Sequence, residues 1–437
     1  MITWMIPVLF MGLVALAGVF MPGQVPVPVP GAAPLQAVNS GDTAWMLTSS
    51  ALVLLMTPGL SFFYGGMVQR KNIISTMLQS FISMGIVSLL WVAVAFSLSF
   101  GDSIGGLIGD PRTYFMFRGV GGLTNAALSP TIPFALFALF QLKFAIITPA
   151  LITGAFAERV RFSGYMVFIC LFTLFIYAPL AHWTWHPDGF LHKWGVLDFA
   201  GGTVVHMASG FAALAGALMF GRRKVHRAKE VTAPANIPFV LLGTGMLWFG
   251  WFGFNAGSAL AANDVAVSAF LNTNTASAAA MLTWIFFDMS RGRKPSAIGA
   301  CVGAVVGLVA ITPAAGYVSI SASIIIGLVG ALVSNLAVHW KSKSSIDDTL
   351  DVFPCHGMGG LTGMILTAVF AKDGGLITGQ YKLFGLHLAA TVIVAVFSFG
   401  GAYVLYRLTS LITPLRVEEG HEDEGLDLSQ HDEAVMA

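Results

Sequence analysis

Long apolar runs separated by short polar stretches fill the chain from about residue 43 to 412. A helix needs about 20 apolar residues to cross the hydrocarbon core of a bilayer. Runs of that order, bounded by charged or Gly/Pro-rich breaks, cover 43–68, 73–100, 131–156, 162–185, 198–220, 236–258, 265–288, 296–312, 319–340, 352–371 and 383–412. The pattern predicts an all-α polytopic membrane protein of about eleven transmembrane helices. Its loops are mostly short, as a bundle of neighbouring helices requires.

Composition supports this reading. Of 437 residues, 56% are hydrophobic and 10% are charged, whereas a soluble domain carries about 25% charged residues. The apolar excess must face lipid, and the 49 glycines suit close helix contacts inside a bilayer. A net charge of +1 gives no reason to expect a nucleic-acid partner. Hydropathy excludes a soluble enzyme, and no nucleophile constellation or phosphate loop is present, so neither enzymatic activity nor a cofactor is expected. Cys170, Cys301 and Cys355 lie in apolar runs without metal-ligand spacing and read as buried thiols.

Basic residues set the expected orientation. Of the 22 Lys and Arg, 16 fall in one set of loops and near the C-terminus, from Arg70 and Lys71 to Arg407 and Arg416. The opposite loops hold 5 (Arg112, Arg118, Lys193, Lys372, Lys382), and Lys143 lies within a span. The bias places the first side and the tail in the cytoplasm, and an odd helix count puts residues 22–42 outside. The expected location is the cell (inner) membrane. Residues 1–21 form a further apolar segment ahead of a proline-rich stretch. They read as a cleaved signal peptide, with Ala15-Leu16-Ala17 as a small-residue site, or as a retained extra helix. The expected organisation is this segment, a transmembrane domain over 22–412 and a tail over 413–437.

Ionisable groups inside a membrane are costly and therefore informative. His206 lies in the fifth span and His356 in the tenth, each in a His-x-x-x-Gly pattern. Those two spans run in opposite directions, which predicts an inverted repeat of five helices plus five, a final helix, and a shared site near the midplane. Two histidines meeting there can share a proton between ring nitrogens, staying uncharged in apolar surroundings. They can also simply bond backbone carbonyls. No third ligand accompanies them, so no metal site is expected. His206 stands about 12 Å along the fifth span from Asp198, at 1.5 Å per residue. Asp198 serves either as a cap for that helix or as a charge favouring a cation above it. His356 follows IDDTLDVFPC, where Pro354 interrupts regular helix. Lys143 has no evident carboxylate partner.

Aromatic residues form a second constellation. Trp185 ends the fourth span, either as an interfacial anchor or as a cation–π face. Phe140 and Phe144 sit one turn apart on the third span, and Phe254 one turn from Ser258 on the sixth. Those spacings fit ordinary packing and also a hydrophobic gate.

The strings TPGLSFFYGGMVQRKN, FALFQLKFAIITPALITGAFAERVRF, LDFAGGTVVHMASG, WFGFNAGSA and DVFPCHGMGG, in this order between residues 43 and 416, resemble the Amt branch of the ammonium transporter/Rh family. The resemblance implies an eleven-helix fold with two inverted halves, and a homotrimer with one pore per subunit. It assigns Trp185, Phe140 and Ser258 to recruitment of ammonium, with Asp198 in support. Phe144 and Phe254 become the ring gate, and His206 with His356 the paired pore histidines. The implied activity is ammonium transport, with ammonia, and methylammonium as a further candidate, crossing a hydrophobic pore while the proton travels separately, making transport electrogenic. The alternatives are an ammonium sensor acting through a cytoplasmic partner and a neutral gas channel of Rh type. The tail LRVEEGHEDEGLDLSQHDEAVMA resembles the family's cytoplasmic segment, which implies a PII-type signalling protein as partner. Asp432 stands where glycine is usual in that family, and by composition alone the tail is acidic and expected to be mobile.

Overall fold

The computed structural model describes residues 2–20, 37–230 and 232–435. The proline-rich stretch after residue 21 therefore lies largely outside the described residues. Helix α1 (Ile2–Phe20) precedes it, with Leu9, Phe10, Leu13 and Leu16 exposed.

Side-chain caps start many of the long helices. Asn39 accepts from the Asp42 amide at 3.0 Å to open α2 (Ser40–Met67). Next come α3 (Arg70–Phe100), α4 (Phe134–Phe156), α5 (Phe162–Trp194) and α6 (Gly202–Phe220). Asn236, Asn263, Ser296 and Ser319 then cap α7 (Ile237–Ala259), α8 (Asp264–Ser290), α9 (Ala297–Ile311) and α10 (Ile320–Lys343). Each satisfies an amide that has no partner within its helix. Last are α11 (Phe353–Phe370) and α12 (Lys382–Ile412).

Among the described residues, nine of the eleven helices α2–α12 are long and apolar enough to cross a membrane. The two that fall short have identifiable reasons. Helix α8 has 27 residues but is rich in Asn, Thr and Ser, several of them buried against α9 and α10. Helix α9 is apolar but only 15 residues long. Length and apolarity alone thus yield nine spans where the sequence pattern led us to expect about eleven.

The most extensive helix pairing is α2 along α7, and α4, almost wholly buried, packs against α2, α3 and α6. The expected mobility of the tail needs correction, because its described part is docked. Arg161 N donates to Leu415 O at 2.8 Å, and Val417 N to Arg159 O at 3.1 Å. Helix α13 (Glu419–Glu424) carries Glu422 to Arg416, and α14 (Leu426–His431) carries Asp427 to the amides of Ile74 and Ser75 at 3.0 and 2.8 Å. Those amides are unpaired donors at the start of a helix, an acceptor site that composition does not reveal. Asp432 closes α14 at φ 54°, the left-handed conformation that favours glycine.

Candidate functional site

Asp198 lies just before α6 rather than inside it. The helix begins at Gly202, four residues later than the sequence suggested, and Asp198 folds back over its end. Its carboxylate accepts from the amides of Gly201, Gly202 and Thr203 at 2.9, 2.7 and 2.7 Å, and from Thr203 Oγ1 at 2.5 Å. Its backbone carbonyl accepts from Trp185 Nε1 at 3.2 Å. The cap reading of Asp198 is therefore realised in detail.

From Trp185 a row of rings leads inward. Phe144 meets Trp185 edge-on at 5.7 Å between centroids and lies 4.2 Å from Phe254, both rings buried. Phe254 is 6.0 Å from the His206 ring. His206 Nδ1 then lies 3.3 Å from His356 Nδ1. Ser258 Oγ donates to Phe254 O at 2.8 Å. A cavity of about 230 Å³ is lined by Trp185, Phe144 and Ser258, with Gln141, Phe199 and Leu260. Phe140 is not on that lining; it is 1% exposed and packs edge-on behind Phe144 at 5.0 Å. On the far side of Phe254, His206 and His356 border an apolar cavity of only about 10 Å³ with Leu60, Ile147, Leu247 and Trp251. That is roughly the space of a single water.

Both histidines lie on π-helical turns, Gly202–Met207 and Phe353–Gly357. Such turns widen the helix locally and recur at functional sites. Two glycines let α6 and α11 cross at this point. A Cβ on Gly210 would stand 2.1 Å from Gly357 N, and one on Gly360 would stand 2.9 Å from His206 Cβ. The repeated His-x-x-x-Gly pattern is thus a crossing motif.

Sequence reasoning missed Asp348, Trp251 and Thr312. Asp348 stands eight residues before His356, as Asp198 stands eight before His206. It likewise caps its helix, accepting from the amides of Val352 and Phe353 at 3.1 and 2.7 Å. The matched spacing was a usable signal. Burial pushes the Asp348 carboxyl up to about 6 against the pull of the Lys341 ammonium. Burial would also raise its neighbour Asp347, but hydrogen bonds from Arg223 hold that carboxyl well below the usual range. Nothing in residue type singled out Thr312, which receives Trp251 Nε1 at 2.9 Å and adjoins His206. Lys143 is 9% exposed and forms no ion pair among the described residues.

The profile of the Ammonium Transporter Family matches residues 44–436. The chain is 47% identical over 406 residues to a putative ammonium transporter of Methanothermobacter thermautotrophicus, spanning 91% of this chain and 98% of that one. It is 45% identical over 407 residues to the ammonium transporter of Bacillus subtilis, with the same two coverages. Its fold resembles the crystal structure of Candida albicans Mep2 with a TM-score of 0.83 at 37% identity, covering 88% of each chain. It also resembles a sensor Amt protein with a TM-score of 0.83 at 31% identity, covering 90% of this chain and 98% of that one. The chain belongs to the ammonium transporter family.

Proposed function

We propose that this protein carries ammonium across a membrane by sorting it through progressively drier compartments. The observation behind this is the row Trp185–Phe144–Phe254–His206–His356, which joins a cavity of about 230 Å³ to one of about 10 Å³. The roomy cavity receives the hydrated ion. The Trp185 face and the Ser258 hydroxyl compensate for lost water, a cation–π contact being worth about 0.5–2 kcal/mol. Phe140 acts from behind by fixing Phe144. The closely packed, mutually tilted pair Phe144 and Phe254 bars a charged species, since an unpaired ion there loses its hydration without recompense. Potassium has no proton to give up, whereas ammonium can lose one and cross as ammonia. The histidine pair offers the polar contacts at the constriction and a path for the separate proton, so transport is electrogenic.

In this reading α8 and α9 complete eleven spans. The two halves α2–α6 and α7–α11 are inverted copies, each with a carboxylate eight residues ahead of its pore histidine, and α12 follows as the final helix. Three copies assemble with one pore each in the cell membrane, with the tail cytoplasmic and the residues before α2 outside. The docked tail is the surface on which a PII-type protein would act. A sensing role is favoured by one finding, the likeness to the sensor Amt protein.

The test is the current across bilayers holding the purified protein after an ammonium pulse, beside a potassium pulse and a His206→Ala/His356→Ala variant. Current for ammonium alone, lost in the variant, is expected. Equal current for potassium would overturn selection by deprotonation. Binding of ammonium without current would move the case to sensing or neutral conduction, which internal pH in the same vesicles separates.

A further inference from the structure

Thr312 follows α9 and precedes Pro313, and its side chain is fully buried. Its hydroxyl meets three groups: Leu308 O at 2.7 Å, Trp251 Nε1 at 2.9 Å and His206 Nε2 at 3.3 Å. A threonine hydroxyl has one hydrogen to give and two lone pairs to receive. The indole N–H can only donate, so it takes one lone pair. Leu308 O can only accept. The amide that would ordinarily serve it, that of Thr312, turns instead to Val309 O at 3.2 Å, and Pro313 has no amide hydrogen. The Thr312 hydroxyl therefore donates to Leu308 O, a buried carbonyl otherwise left short. What faces His206 Nε2 is the second lone pair, so Nε2 must carry the hydrogen.

An uncharged imidazole has one N–H. With that hydrogen on Nε2, His206 Nδ1 is a bare acceptor, and the 3.3 Å contact requires His356 Nδ1 to donate. His356 Nε2 is then bare and meets no protein partner among the described residues, while His356 borders the narrow cavity. We propose that Thr312 is a positioning residue that fixes the tautomers of the pair, His206 as Nε2–H and His356 as Nδ1–H, leaving His356 Nε2 as its one open lone pair. The inference rests on reading the pair as the polar centre of the pore.

This polarity has a direction. Suppose a proton released by ammonium reaches a bare His206 Nε2. That N–H bond forms, the hydrogen between the Nδ1 atoms moves from His206 to His356, and His356 Nε2 gives up its own hydrogen. One proton enters and one leaves. The arrangement left behind is the one Thr312 holds. Thr312 thus stabilises the pair after a proton has passed toward His356, and both rings must reset before the next.

Full-length protein with ¹⁵N-labelled histidine, reconstituted in bilayers, reports the tautomers through the imidazole nitrogen shifts. Coupling across the Nδ1-to-Nδ1 hydrogen bond identifies the pair. Wild type is expected to show His206 as Nε2–H and His356 as Nδ1–H. Thr312→Val, which keeps the shape and removes the hydroxyl, is expected to give a mixture of both polarities, and Thr312→Ser the wild-type pattern. His206 as Nδ1–H in wild type, or an unchanged spectrum in Thr312→Val, overturns the proposal; if the valine variant does not fold, the wild-type spectrum still decides. Ammonium currents on the same samples separate the two readings. Conduction with the wrong tautomers refutes this assignment alone, and correct tautomers without ammonium flux refute only the transport reading.

Discussion

Replacing Asp198 asks whether its carboxylate touches the transported ion. Two carboxylate oxygens offer about four lone-pair sites, and four donors occupy them, three amides and the Thr203 hydroxyl at 2.5 to 2.9 Å. Nothing remains for an ammonium ion. Asp198 instead secures the start of α6 and holds its own carbonyl beneath Trp185 Nε1. Asp198→Ala strands three buried amides. At roughly 1–3 kcal/mol for each buried donor left unpaired, with some relief from entering water, the variant loses on the order of 3–6 kcal/mol. Asp198→Asn retains one good acceptor oxygen and turns an NH₂ toward the remaining donors, so it loses about half as much. Thermal unfolding in detergent, read beside ammonium current, is expected to rank wild type above Asn and Asn above Ala in both quantities. An alanine variant that melts with wild type yet carries no current would show that the carboxylate acts on the ion, and the cap argument would fall.

Three further outcomes follow from the same contacts. Gly210→Ala drives a Cβ to 2.1 Å from Gly357 N and 2.3 Å from its Cα, both backbone; overpacking of at least about 1–3 kcal/mol is expected, seen as a sharp drop in folded protein on size exclusion, while Gly245→Ala, which meets no neighbour, is neutral. Asp348 binds its proton more tightly folded than unfolded, so its favourable contribution is present below about pH 4 and is lost as pH rises through about 6. Asp348→Asn should flatten that decline, which is on the order of 3 kcal/mol, in melting curves taken between pH 4.5 and 7. Arg416→Ala removes the contacts to Glu422 and to the carbonyls of Phe220 and Arg222; hydrogen exchange over 418–431 is expected to quicken by about 30-fold, for roughly 2 kcal/mol of docking.

Much of the architecture was legible because lipid enforces a simple rule: apolar runs of fixed length, with basic residues gathered in alternate loops. The rule fails where protein replaces lipid as the neighbour. Helix α8 buries Asn272, Thr273 and Ser277 against other helices, so its polarity records packing and not solvent. The site was legible at the level of residue type, since a membrane-buried histidine or carboxylate announces itself. Contacts were not legible. Phe140 stands behind Phe144 although spacing put them on one face, and Thr312 carries no signal among its apolar neighbours. The tail was misjudged because its acidic residues looked solvated. Their partners Lys71, Lys224 and Arg227 come from two segments far back in the chain, and Arg416 from just upstream in the tail itself.

The two carboxylates explain how a pair of histidines can be held in an apolar centre without a charge beside them. Each sits eight residues ahead of its ring, at opposite ends of the crossing pair, and each closes the amide end of a π-helical turn. The open amides of α6 and α11 are thereby satisfied from outside the constriction. At the centre, the glycine crossing sets the separation of the rings, and neutral groups alone meet them: the Trp251 indole donates to the Thr312 hydroxyl, which in turn faces His206 Nε2. Carboxylates are kept at the two ends of the crossing pair and hydrogen bonding between neutral rings at its middle. In the transport mechanism we propose, a pore that admits an ion to its vestibule but passes only what can shed its charge needs that division, because a carboxylate moved to the constriction would stabilise potassium as well as ammonium.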